Sequence, residues 1–247
     1  MEQARYRLKR DRLLQLFAGM EAAKGASVSC YFPAGAAEHD IRGSLTALTL
    51  APETCDDIIK LATESSTGAV LFWGDCYKYV VVPPFPGIER LNAVGYDVEP
   101  LRRMLERELL LALVLVRLGL YAVGVFRGEQ LLSSKVGTGL VHGRHRQGGS
   151  SARRFERHRE AQMGAFFTRV CTRCREQIEP YQSQLDYLYF GGERGTVREF
   201  GKHCRFIQRM EAKTLPMLLN VREPKQASLV AAIGDAWSSR VVRWSEE

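Results

Sequence analysis

The chain has 247 residues, 45% of them apolar, and a formal net charge of +7; it has enough apolar content to bury a core and too much to be a disordered chain. The charge is uneven: residues 1–95 hold 10 Lys/Arg against 11 Asp/Glu, and residues 96–247 hold 25 against 17. A positive surplus confined to the later part points to a polyanionic partner, nucleic acid or anionic lipid, more than to a solubilising charge excess.

In chain order, "MEQARYRLKRDRLLQLF" mixes charges where a secretory leader needs an apolar run, so a cytoplasmic protein is expected, with a helix over 3–23. "SVSCYF" (27–32) reads as a strand and "PETCDDIIKLATES" (52–65) as an amphipathic helix. "GAVLFWG" and "YKYVVVP" read as two strands joined by a tight Gly-Asp turn. "PPFPGIERLNAVGYDVEP", with four prolines and two glycines, reads as a linker at the point where the charge balance switches. It divides a smaller α+β region, 1–95, from a second domain, 96–247.

A short helix over 99–109 comes next. The apolar run "LLLALVLVRLGLYAVGVF" (109–126) is interrupted by Arg117, Gly119 and Gly124, so it suits two consecutive buried strands better than a membrane span. Strands are expected at 111–117, 121–127 and 130–135, the last two forming a hairpin around "RGE". "KVGTGLVHGRHRQGG" has no apolar period of its own and reads as a glycine-spaced basic connector.

A long helix over 151–178 follows, with Ser150 suited to its N-cap. Its second half repeats Met163, Phe166, Phe167, Val170, Cys171, Cys174 and Ile178 at three- and four-residue spacing, the stripe of a helix packed on a core. Its first half carries Arg153, Arg154, Arg157, His158 and Arg159 around nearly every direction. Burying those charges unpaired would be prohibitive, so this half is expected to project from the body. The chain then alternates: strand 185–192, helix 196–212, strand 215–221, helix 224–238 and a short tail "RVVRW". The whole predicts an α/β fold, a mixed sheet with helices on both faces, after the smaller N-terminal α+β region.

The six cysteines (Cys30, Cys55, Cys76, Cys171, Cys174, Cys204) are expected as reduced thiols. Cys171 and Cys174, with His203 and Cys204, have the composition of a zinc site. The first two also lie on the inward rhythm of the long helix, where cysteine is a small apolar residue, and this reading is preferred. No metal and no cofactor is expected.

"HGRHRQGGSSARRFERHR" (142–159) concentrates six arginines and three histidines around one Gly-Gly pair. Glycines allow a close backbone approach to another molecule. The helix start adds unpaired N–H groups, and arginine forks add bidentate phosphate contacts. The stretch is neither a Walker loop nor a dinucleotide-binding fingerprint, since GxxxxGK[ST] and GxGxxG are absent. His142 and His145 suit phosphate contacts better than general-base work.

The segment Gly148-Gly149-Ser150-Ser151-Ala152-Arg153-Arg154-Phe155 resembles the tip of the central domain of eukaryotic and archaeal class-I release factors. Arg144-His145-Arg146-Gln147-Gly148-Gly149-Ser150 is more similar still to the Vms-like release factor family, whose shorter bacterial relatives occur in actinobacteria and chloroflexi. The resemblance covers roughly residues 100–245. It implies a ribonuclease H-like or release-factor central-domain sheet, and a cytoplasmic ribosome quality control factor that hydrolyses peptidyl-tRNA on stalled large subunits. Its partners would be the large-subunit rRNA and peptidyl-tRNA, with no membrane involved. Gln147, Gly148, Gly149, Ser150 and Ser151 would meet the ester. His142, Arg144, His145, Arg146, Arg153, Arg154, Arg157 and Arg159 would hold RNA. The sequence departs from the release-factor pattern after the glycines, where Ser150 stands in place of glutamine. Endonucleolytic cleavage of the tRNA 3′ end, or RNA binding without catalysis, are the alternative activities.

Overall fold

The computed structural model describes residues 2–141 and 152–245. The chain divides into two compact units, Met1–Arg107 with Trp237–Glu247, and Glu108–Ala236.

The first unit is an antiparallel six-stranded sheet. Its elements are β1 (Glu2–Leu8), α1 (Arg10–Ala22), β2 (Ser27–Phe32), α2 (Glu38–Leu45), α3 (Pro52–Thr63), β3 (Ala69–Gly74), β4 (Lys78–Val82), β5 (Leu91–Val94) and α4 (Glu99–Glu106). The order is β1-β11-β4-β3-β2-β5, where β11 (Ser239–Ser245) comes from the far end of the chain. Alternation along the strands separates two cores. Cys30, Phe32, Leu71, Val80 and Val242 pack with Ile41, Leu45, Ile58 and Ile59 of α2 and α3. On the opposite face Phe17 of α1 meets Phe72 edge-on at 6.1 Å, and Tyr31 donates to the Asp97 carbonyl at 2.6 Å.

Three expectations are corrected here. The helix expected over 3–23 begins only at Arg10, because Glu2–Leu8 pairs antiparallel with β11 from Glu2↔Ser245 to Leu8↔Ser239. The β-branched run Val241-Val242 needs strand partners on both sides, and that demand overrides the local helical preference of residues 2–8. Charged Arg5 and Arg7 suit an edge strand, where they discourage pairing with another chain. The stretch expected as a linker instead contains β5, which pairs with β2 from Val28↔Val94 to Tyr31↔Leu91. The expected boundary at 95/96 therefore moves to 107/108, and the tail 237–247 leaves the second domain.

The second unit holds β6 (Leu110–Arg117), β7 (Leu120–Arg127), β8 (Gln130–Thr138), α5 (Ala152–Ile178), β9 (Tyr187–Gly192), α6 (Arg194–His203), α7 (Arg205–Gln208), β10 (Thr214–Leu219) and α8 (Gln226–Ala236). Its sheet has the order β10-β9-β6-β7-β8. The β10–β9 and β9–β6 pairs are parallel, and β6–β7 and β7–β8 are antiparallel. This is the mixed sheet expected. The apolar run forms β6 and β7, turning at Gly119 with φ +85°. Among the described residues no helix is long and apolar enough to cross a membrane.

Both faces of this sheet are covered. Ala112, Val114, Val116, Val123 and Val125 point toward Phe166, Phe167 and Val170 of α5 and Phe200 of α6. Residues alternating with them face α8, where a Cβ on Gly124 would lie 3.3 Å from Leu229. A strand covered on both faces reads as a continuous apolar run, which is what β6 is.

The helix expected over 196–212 is broken at Cys204, whose backbone is extended (φ −97°, ψ 93°). Gln208 Nε2 donates to the Gly201 and Lys202 carbonyls at 2.9 and 2.7 Å, satisfying the end of α6. Cys204 is joined to Cys171 of α5 in a disulfide with Cα atoms 5.4 Å apart, which departs from the expectation of reduced thiols. Cys30, Cys55, Cys76 and Cys174 are free. Protein unfolded without reductant is expected to titrate as four thiols, and as six after reduction. Closing a loop across 33 residues stabilises the fold by about 3–4 kcal/mol on chain-entropy grounds. Reductant should therefore lower the melting temperature by several degrees; an unchanged thiol count would contradict the disulfide.

Candidate functional site

Of the residues expected to form the site, His142, Arg144, His145, Arg146, Gln147, Gly148, Gly149, Ser150 and Ser151 lie outside the described residues. What is described is the pair of elements that flank them. β8 stays paired with β7 to Leu120↔Thr138, and the Gly139 N–H donates to the Gly119 carbonyl at 2.9 Å. Arg169 of α5 donates to the Thr138 carbonyl at 2.9 Å, fastening the end of β8 to the helix. A Cβ on Gly139 would lie 2.6 Å from Phe166, so glycine is required for this approach. Val141 packs against the same core.

α5 has two regimes along its 27 residues. Phe166, Phe167, Val170, Cys174 and Ile178 are buried. Each such large apolar side chain contributes about 1.5–3 kcal/mol of burial, so the rear of the helix is firmly held. Ahead of Phe166, Arg154, Glu156, Arg157, His158 and Glu160 are exposed and Arg159 is half-buried. The stretch from the helix start to Phe166 is about 20 Å long at 1.5 Å per residue. The backbone of Arg153 continues the same helix. The expected basic helix start is thus an exposed extension of a core-anchored helix, and Arg154, Arg157 and Arg159 lie on it.

The cysteine chemistry considered from sequence takes a different form. Cys171 and Cys204 are bonded to each other, while Cys174 is fully buried and its thiol is pushed far up by desolvation. A thiol held protonated is neither a nucleophile nor a metal ligand at neutral pH. His203 instead shares a hydrogen bond with Thr168 Oγ1 at 3.0 Å and packs beside Phe167. Among the described residues no group of three or more His, Cys, Asp or Glu is placed to hold a metal ion.

At the carboxyl end of β9, Glu193 caps α6. Its carboxylate accepts from the Gly195 and Thr196 N–H groups at 3.0 and 2.7 Å, and from Thr196 Oγ1. The Thr196 side chain, followed by its backbone N–H, lowers the Glu193 pKa. The depressed pKa means that the cap's contribution is complete above the ordinary glutamate range and is lost as the pH falls through the folded-state value. Glu193→Ala is expected to cost about 1 kcal/mol at neutral pH. The melting-temperature gap to the unsubstituted protein should close on acidification; a gap constant with pH would contradict the carboxylate's role.

Beside this cap lies an open cavity of about 500 Å³, lined by Arg117, Arg159, Met163, Glu193, Arg198 and Glu199 among others. Arg117 ends β6, Arg159 belongs to the exposed part of α5, and Arg198 lies on α6. Arg117 and Arg198 were not singled out as site residues from the sequence. The available signal was Arg117 breaking an apolar run at a strand end; nothing local marks Arg198.

Residues 110–242 match the family model described as the actinobacteria/chloroflexi VLRF1 release factor. The chain belongs to this release factor family. The matched region takes in β6 to β8, the basic Gly-Gly segment, all of α5 and the remainder of the second unit. Among curated proteins, the chain is 34% identical over 105 residues to peptide chain release factor subunit 1 of Archaeoglobus fulgidus, covering 42% of this chain and 26% of that protein. It is 31% identical over 147 residues to the protein of the same name from Thermococcus sibiricus, covering 54% and 35%. The alignments thus span about a quarter to a third of these relatives. Among solved structures, the archaeal translation termination factor aRF1 aligns over 93% of this chain and 70% of that one, with 20% identity and a TM-score of 0.43.

Proposed function

We propose that this VLRF1-family protein works in the cytoplasm on the large ribosomal subunit, where it frees nascent chains from peptidyl-tRNA by ester hydrolysis. The observation that carries this reading is the position of the family match. It falls on the unit whose core-anchored helix holds an exposed basic start directly after the Gly-Gly segment. Arg144, Arg146, Arg153, Arg154, Arg157 and Arg159, with His142 and His145, would hold rRNA and tRNA phosphates. Gln147 to Ser151 would face the ester joining the peptide to the tRNA's terminal ribose.

The chemistry asks for little beyond placement. Water adds to the ester carbonyl, the oxyanion of the tetrahedral intermediate is met by N–H donors, and the C–O bond to the ribose breaks as the ribose oxygen takes a proton. Backbone N–H groups around Gly148 and Gly149 and the neutral amide of Gln147 are suitable donors for the water and the oxyanion. No cofactor is needed for this step.

Ser150 stands where release factors carry glutamine, and this specific departure favours one second reading, in which the tRNA 3′ end is cut instead. The test uses large subunits carrying peptidyl-tRNA, with peptide and tRNA analysed separately after adding the protein. Free peptide with full-length tRNA is the expected product. A shortened tRNA would replace hydrolysis by endonuclease action, and binding with neither product would leave an RNA-binding protein without catalysis.

A further inference from the structure

The sheet of the second unit changes direction between β6 and β9. From β6 the chain runs on to β7 and β8 on one side; from β9 it runs through α6 to β10 on the other. These two strands are neighbours and parallel, paired from Leu111↔Tyr187 to Val116↔Gly192. The crevice outside the carboxyl ends of such a pair is where open α/β sheets place ligands, because the two departing connections leave a gap there. The cavity of about 500 Å³ sits at these ends: Arg117 ends β6 and Leu118 follows it, and Glu193, Gly195 and Thr196 follow β9.

Three arginines brought from three elements line it. Arg117 spends one N–H on the Arg222 carbonyl at 2.8 Å, and its other donors are not used by that bond. Arg198 is 75% exposed at its side chain, and its contact with Glu199 is 3.6 Å long. The two carboxylates on the wall have partners besides these arginines, although Arg117 acts on Glu193 and Arg198 on Glu199. Glu193 caps α6, and Glu199 accepts from Lys202 Nζ at 3.0 Å. Three arginines against two carboxylates leave the lining with a positive excess, so the cavity suits an anion with several oxygens. Arg159 links it to the exposed start of α5, about two helical turns from the helix start.

We propose that Arg117, Arg159 and Arg198 form a phosphate-binding pocket for an RNA backbone, a second grip beside the exposed start of α5. The proposal rests on the reading that α5 approaches RNA, but not on ester hydrolysis. A strand whose end is engaged at the tip of α5 would lay a phosphate of its backbone into the crevice. The arginine forks match phosphate oxygens bidentately, and Met163 lines the apolar side of the cavity.

The test is the binding of a labelled single-stranded oligoribonucleotide to the full chain at several salt concentrations. Arg198→Gln is expected to weaken binding several-fold and to reduce the slope of log affinity against log salt by about 0.7. Arg117→Lys with Arg198→Gln should weaken it further, since lysine keeps the charge but loses the fork. Arg127→Gln removes a cation at the opposite end of the sheet, beside Leu110, and should leave the slope unchanged. The proposal is overturned by a wild-type slope in Arg198→Gln, by an equal loss in Arg127→Gln, or by wild-type protein that does not bind the oligoribonucleotide. Thermal unfolding of each variant separates lost binding from lost folding. Peptide release is measured independently, so protein that binds RNA through this pocket and releases nothing would refute only the hydrolytic reading.

Discussion

Replacing Gln147 by alanine is expected to slow peptide release from peptidyl-tRNA on large subunits about 10²–10³-fold, with binding to the subunit little changed. On the proposed hydrolytic role, the magnitude is that of losing one donor to an oxyanion or its attacking water. Within 147–151 this is the only side-chain amide, so no neighbour can replace its geometry. Gly149→Ala should produce a loss of similar size for a different reason. On the same proposal, an added Cβ would restrict the backbone conformations open to glycine and hinder a close approach to the ester. Arginine substitutions on α5 should behave differently: Arg157→Gln lowers affinity and salt dependence, and saturating protein restores the rate. Single-turnover release at saturating protein reads the difference. Full activity in both Gln147→Ala and Gly149→Ala would remove the Gly-Gly segment from the chemistry. Loss in Ser150→Ala with Gln147→Ala unaffected would move the working residue to the other side of the glycines.

The second large effect is structural. Gly192 ends β9 with φ +114°, and a Cβ placed on it would lie 2.1 Å from the Val116 carbonyl oxygen. Its neighbours there are backbone atoms of the central strand, which cannot move aside as a side chain can. An alanine must either displace β6 or give up the turn into α6. The positive φ alone costs about 1–3 kcal/mol for a non-glycine residue, and the clash adds to it. A loss above about 3 kcal/mol is expected, read as a fall in melting temperature of roughly 6–12 °C. Gly201→Ala is the contrast, because nothing lies within 4 Å of its added Cβ, and it should be neutral or mildly stabilising inside α6. A Gly192→Ala protein as stable as the unsubstituted one would mean that the β6–β9 crevice is looser than its geometry requires.

What could be read along the chain was whatever repeats at short range. The run 109–126 is apolar but for Arg117 and is broken by glycine, and it became a hairpin buried on both faces. The stripe through Phe166, Val170 and Cys174 set the length and inner face of α5, and the arginines ahead of it required solvent. The motif around Gly148-Gly149 needed only contiguous residues to point to a release factor, and the family match over 110–242 agrees.

Other features were hidden because they depend on pairings across long stretches of chain. Residues 2–8 looked helical until β11, more than two hundred residues later, paired with them. The proline-rich stretch looked like a linker because β5 is only four residues long and is justified by its pairing with β2. Cys171 carries no local sign that its partner is Cys204 rather than Cys174; the break between α6 and α7 decides that.

The sequence by itself determined the mixed sheet, the long helix with its basic start, and the family, since each is written in periodicity or in adjacent residues. Only the tertiary structure decided that the tail closes the first sheet, and that Arg117, Arg159 and Arg198 meet in one crevice. Charges 39 and 42 residues apart along the chain converge there because β6 and β9 run parallel and their connections part in opposite directions.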